Sequence, residues 1–100
     1  MITSFFPGRI RLRAPVFKES DLVAKARSIL QKSDAVKKIE NNLLTGSVLI
    51  EYSPSKVPLE KLTSMQDFFA RLASEAQNFD GTESSRAKIS GMLDKLEGIF

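Results

Sequence analysis

Apolar and polar residues alternate sharply near the start of the chain. In the stretch PGRIRLRAP, residues 7–15, Ile10 and Leu12 alternate with Arg9, Arg11 and Arg13 between two prolines. A period of two is that of a half-buried strand. Proline cannot continue a ladder in mid-sheet, so Pro7 and Pro15 bound the strand, and Pro7-Gly8 reads as a tight turn leading into it. The next stretch, SDLVAKARSILQKS, residues 20–33, changes to helical spacing. Leu22, Ala26, Ile29 and Leu30 form one apolar stripe, with Ser20 as the expected N-cap. Val36 and Ile39 then mark a strand. Asn42 to Gly46 supply turn chemistry, and Val48, Ile50 and Tyr52 alternate with Ser47, Leu49 and Glu51 in a second strand that Pro54 ends. This is a hairpin pattern.

Pro58 suits the first turn of a helix that runs to about Phe79. Leu59, Leu62, Phe69, Leu72 and Ala76 make its stripe, and Met65 and Phe68 widen it, which implies two contacts. Asp80-Gly81 breaks this helix, and Thr82 to Ser85 offer caps for another. Ile89, Met92, Leu93 and Leu96 follow at i, i+3, i+4 and i+7, so residues 84–97 form an amphipathic helix. Gly91 weakens it by about 1 kcal/mol relative to alanine. A lone helix of this length is marginal in water, so it must pack on its own domain, on a second copy of the chain, or on a partner.

The order β-α-β-β-α followed by a helix matches the split βαβ unit of ferredoxin-like folds. The expected class is α+β: an antiparallel sheet with helices on one face, the C-terminal helix standing where a fourth strand would be. By alternation Ile10, Leu12, Val48, Ile50 and Tyr52 face the helices. Arg9, Arg11, Arg13, Ser47, Leu49 and Glu51 line the open face. Without a fourth strand, one edge of strand 9–13 is expected to be uncovered and open to pairing with another chain.

Composition narrows the chemistry. One hundred residues, 42% apolar and 27% charged, make one modest domain. Cysteine and histidine are both absent, which removes disulfides, thiolate chemistry and the usual neutral-pH acid–base catalyst. It also removes the donors of conventional zinc, copper and iron–sulfur sites, and the scattered acids show no calcium-loop spacing. No cofactor is expected. No serine has a triad-like partner, no acid pair suggests a carboxylate site, and the chain is expected not to be an enzyme. There is no apolar run long enough for a transmembrane segment, and MITSFFPGR lacks the charged and apolar regions of a signal peptide, so a cytoplasmic location is expected. Net charge is +3, unevenly placed: residues 1–61 carry 11 Lys+Arg against 6 Asp+Glu, and residues 62–100 carry 4 against 6. The basic part favours an anionic or acidic partner.

Together PGRIRLRAP and DAVKKIENNLLTGSVLIEYSP resemble the heavy-metal-associated domain superfamily, in its cysteine-free branch, over residues 3–79. The resemblance implies the ferredoxin-like fold and a relation to domains found alone or at the N-terminus of bacterial cation-transporting P-type ATPases. Metal-carrying members hold a Cys-x-x-Cys pair between the first strand and first helix. Here that loop is APVFKESD, residues 14–21, with Pro15, Val16 and Phe17 where soft ligands would lie, so metal transfer does not come with the fold. The chain divides into residues 1–79, the domain, and residues 80–100, a linker and amphipathic helix.

What remains is surface. The arginine row is either a solvated face that discourages aggregation and pairs with Glu51, or a contact surface whose guanidiniums stand about 6.8 Å apart along the strand. No aromatic platform accompanies it, which argues against base stacking. Phe5 and Phe6 are expected to pack at the core edge. Phe17 is expected there too, or in a dry protein contact at the former metal loop. Candidate interaction residues are Arg9, Arg11, Arg13, Phe17, Ile89, Met92, Leu93, Leu96 and Phe100. The expected function is a non-catalytic protein-interaction or regulatory accessory domain linked to metal transport or storage. Its expected partner is a protein, with a homodimer as one form. The alternative is an electrostatic binder of nucleic acid or phospholipid headgroups through Arg9, Arg11 and Arg13.

Overall fold

The computed structural model describes residues 1–98. Four strands form one antiparallel sheet: β1 (Ile2–Phe6), β2 (Arg9–Arg13), β3 (Val36–Asn42) and β4 (Ser47–Tyr52), in the spatial order β1-β2-β4-β3. Helix α1 (Ser20–Leu30) connects β2 to β3. After β4 come α2 (Leu59–Ser64), α3 (Gln66–Gln77) and α4 (Glu83–Glu97). The architecture is α+β and ferredoxin-like, as the alternation of periods implies.

The open edge expected on strand 9–13 is not there. β1 pairs with β2, Phe5 opposite Ile10 and Phe6 opposite Arg9. The N-terminal strand therefore occupies the position beside β2 that a fourth strand takes in this topology. Pro7-Gly8 makes this possible as a two-residue turn with Gly8 at φ 86, a left-handed conformation that side chains disfavour. The register shifts between Ile2 and Ser4, and an irregular outer edge discourages further strand addition.

Two helix expectations also change. Ser20 is not the cap of α1 but its first residue, and the cap position, Glu19, makes no side-chain capping bond. The single helix expected over residues 58–79 is broken at Met65, which leaves helical geometry at φ −110, ψ 21. The Ser64 hydroxyl donates to the Lys61 carbonyl at 2.8 Å, the acceptor that the Met65 amide would use in a continuous α-helix. Met65 N–H bonds Leu62 O instead, at 3.2 Å. The start of α4 follows expectation: Thr82 Oγ1 accepts from Ser85 N–H at 3.2 Å.

The core lies mainly among helices. Val16, Leu22 and Ile29 meet Phe68, Ala76, Ile89, Leu93 and Leu96 in one buried cluster. α4 packs against both α1 and α3, so it docks on its own domain. Polar contacts fix the α1–α4 seam. Lys25 Nζ pairs with Asp94 Oδ1 at 2.7 Å and donates to Ser90 Oγ at 2.8 Å. Arg86 pairs with Glu19 at 3.0 Å and with Asp21. Lys32 reaches Glu97 at 3.5 Å.

The sheet contributes less to this core than alternation implies. Directly opposed residues share a face, so Ile2, Leu12, Val48 and Asn41 form one inward row, and Phe5, Ile10, Ile50 and Ile39 the next. Of the strand residues only Val48 is fully buried, while Ile10, Leu12, Ile39, Ile50 and Tyr52 are half-buried. α3 packs on α4 and on a 3₁₀ turn at Pro15–Lys18 rather than flat on the strands. An apolar cavity of about 630 Å³ is left between the inward sheet face and the helices.

Leu93→Ala is expected to cost about 2–5 kcal/mol, the range for removing a buried leucine side chain, read as a lowered urea midpoint. Asp21 gives a pH test. The Arg86 guanidinium hydrogen-bonds its carboxylate and holds its pKa below the ordinary aspartate value. A depressed carboxylate contributes stability that is present above its unfolded pKa, about 3.9, and is lost as pH falls through the lower folded value. Arg86→Gln should therefore return the Asp21 titration, followed by NMR, toward the ordinary value. It should also flatten this part of the stability loss below about pH 4.

Candidate functional site

Alternation in β2 places Arg9, Arg11 and Arg13 on the face turned away from the helices, and the register completes that face. One row runs Lys38–Glu51–Arg9–Phe6, the next Glu40–Leu49–Arg11–Ser4, and the last Asn42–Ser47–Arg13. The expected opposition of the arginine row and Glu51 is present as register but not as an ion pair. Lys38 bonds instead to Glu40 two residues along its own strand, Nζ to Oε1 at 2.7 Å. That contact lowers the Glu40 pKa and raises that of Lys38. Arg13 Nε donates to the Thr45 carbonyl at 3.1 Å and is tied to the hairpin turn. Among the described residues Arg9 and Arg11 have no ion-pair partner. They are exposed cations held at strand spacing on a rigid sheet.

Phe5 and Phe6 are not core-edge residues. They are 61% and 64% exposed on β1, the outermost strand of the sheet. Phe6 lies beside Arg9 on the charged face, and Phe5 beside Ile10 on the inward face. The charged face thus carries an exposed aromatic ring that the β1 pairing brings to it. The sequence offered one signal for this: Ile2–Phe6 is a β-prone run ending at Pro-Gly, the ingredients of a second hairpin.

The loop between β2 and α1 is a packed turn. Pro15–Lys18 is a 3₁₀ helix, with Ala14 and Val16 buried and Phe17 packed against the core cluster. Ala14 N–H donates to Gly46 O at 3.0 Å, tying the turn to the β3–β4 hairpin. Gly46 has φ 68, and a Cβ there would lie 2.9 Å from Ala14 O, so the close approach needs glycine. Phe17 therefore serves the interior at this point. The donor chemistry does not fit a soft metal cargo, which needs sulfur or imidazole. Among the described residues no three acids cluster to replace them.

The C-terminal candidates are placed by α4. Ile89, Leu93 and Leu96 are 3–5% exposed in the chain's own core, and Met92 is half-buried against it. A partner could reach the first three only by displacing α4, so the docking face expected of them is occupied within the domain. Phe100 lies outside the described residues. One polar side chain escaped the sequence reading. Arg27 lines the apolar cavity, its Nη2 donating to Asn41 Oδ1 at 2.6 Å. The signal was present: Arg27 follows Val23 by four residues and precedes Leu30 by three, which sets a charge on an apolar stripe.

With this geometry in view, the comparisons place the chain. The family model for heavy metal associated domain 2 matches residues 1–97, and the chain belongs to that family. The match extends through α4, beyond the residues that carried the sequence resemblance. No curated protein and no solved structure matches the chain. Among the described residues no helix is long and apolar enough to cross a membrane.

Titration calorimetry with Zn²⁺ is expected to show no saturable micromolar site, since the turn that holds ligands in metal-carrying relatives offers none. A stoichiometric ion bound by the chain's own side chains contradicts this.

Proposed function

We propose that the chain is a non-catalytic accessory domain of a metal-transport or metal-storage system, acting in the cytoplasm by binding a protein partner through the outer sheet face. The reading is supported by family membership combined with a ligand-free turn: the scaffold persists where metal-transfer chemistry has no donors. The observation that carries it is the pair of exposed guanidiniums of Arg9 and Arg11, at strand spacing beside the exposed Phe6 ring and, among the described residues, in no contact ion pair. A solvated face made only for solubility has no use for a large exposed aromatic next to fixed cations. Arginine and aromatic residues are the side chains enriched at contact hot spots. An acidic segment with an apolar residue matches both features.

The alternative, an electrostatic binder of nucleic acid or phospholipid headgroups, uses the same arginines and no aromatic. The test therefore compares variants. Partner capture from the native host is expected to fall about tenfold for Arg9→Gln/Arg11→Gln/Arg13→Gln, the scale of one charge-assisted hydrogen bond. It is expected to fall comparably for Phe6→Ser, while Leu59→Ser has no effect. Binding of a DNA duplex or of phosphatidylglycerol vesicles should be weak. Saturable binding to either, steeply reduced by salt and indifferent to Phe6→Ser, replaces this reading with the electrostatic one.

A further inference from the structure

The outer-face reading leaves the cavity between the sheet and the helices unused. At about 630 Å³ it falls in the size range of small-molecule sites, roughly 300–1,000 Å³. Its walls include Ile10, Leu12 and Ile50 from the sheet and Leu30, Leu62 and Leu72 from the helices. All six are half-buried, neither sealed in packed interior nor standing free in water. Protein interiors pack at crystal density, and a wall without a facing atom forgoes its dispersion contacts. The walls therefore suit an apolar occupant.

Arg27 makes the cavity more than an apolar gap. Among the described residues it has no acidic partner. The other two basic residues on and just after α1 are both paired, Lys25 with Asp94 and Lys32 with Glu97. Of the five N–H donors of the Arg27 guanidinium, Nη2 bonds Asn41 Oδ1 at 2.6 Å, and Nε is buried with no acceptor. A buried donor left unmatched is costly, and a partly buried cation without a counter-charge more so. The planar fork of arginine fits a carboxylate in two-point contact. A neutral hydrocarbon would fill the walls and leave Arg27 unmatched. A polar anion would match Arg27 and leave the walls wet.

We infer that this cavity binds a single-chain carboxylate amphiphile of the fatty-acid class, its tail along the inward sheet face and its head on Arg27. The site lies on the opposite side of the sheet from Arg9 and Arg11, so it stands independently of the proposed partner surface.

The test is titration of the full chain with dodecanoate below its micelle concentration, followed by calorimetry and by methyl NMR. The expected result is one-to-one saturable binding that shifts the Ile10, Leu12 and Ile50 methyls and tightens about fourfold per methylene from octanoate to dodecanoate. Dodecanol should bind at least about tenfold more weakly, the scale of a hydrogen bond to a charged group. Arg27→Met should abolish that head-group preference. Ile50→Phe should fill part of the cavity, leaving the unfolding midpoint unchanged or raised while weakening dodecanoate. The triple arginine variant of the outer face should bind dodecanoate as the native chain does. Absence of saturable binding at millimolar dodecanoate, or equal affinity for dodecanoate and dodecanol in the native chain, overturns the inference, and neither measurement depends on a variant folding.

Discussion

The seating of α4 against α1 and α3 is the contact on which the other features depend. Ile89, Leu93 and Leu96 bring to the centre of the molecule the apolar surface that the sheet does not fully provide. Helix α4 is close to the length at which an isolated helix is marginal, and Gly91 weakens it further, so its stability derives from this packing. The Arg86 contacts to Glu19 and Asp21 and the Lys25 contact to Asp94 set the angle at which it lies. Exposed ion pairs of this kind contribute little energy individually. They join α4 to α1 along the seam.

Because the helices pack largely on one another, the sheet keeps two chemically distinct faces. Its outer face is a grid of charges, with Arg9 and Arg11 exposed and, among the described residues, in no contact ion pair, and Phe6 at the margin. Its inner face is apolar and half-covered, with Arg27 reaching over it from α1. In the superfamily that the sequence resembles, metal-carrying domains hold their ligands at the turn before α1. In this chain that turn is filled by Ala14, Val16 and Phe17 and tied to Gly46.

Much of the fold was legible locally. The period of two in residues 9–13 and 47–52 and the helical spacing in residues 20–33 and 84–97 gave the correct element types, and alternation assigned the faces of β2 and β4. The charged face was therefore visible before any coordinates. What escaped depends on interactions between segments or on a single hydrogen bond. Ile2–Phe6 has only five residues and no alternation, and it becomes a strand because β2 offers it an edge. The break at Met65 coincides with the Ser64 hydroxyl bonding the Lys61 carbonyl while the Met65 amide bonds Leu62. Phe5 and Phe6 read as buried because aromatic residues usually are, yet their exposure follows from holding the outermost position. Arg27 was not singled out: its spacing from Val23 and Leu30 sets it on the apolar stripe, but only the packed structure shows that it lines the cavity against the sheet.

The sequence by itself determined the class of fold, the faces of β2 and β4, the row of fixed cations and the absence of soft metal donors. These are properties of residue type and short-range periodicity, which the backbone geometry of strands and helices converts directly into direction. Only the tertiary structure decided that the N-terminal strand closes the sheet edge, that α4 belongs to the core, and that a cavity with a lone guanidinium separates sheet from helices. Periodicity states which way a side chain points. What lies opposite it is set by contacts between residues far apart in the chain, and those exist only once the elements have packed.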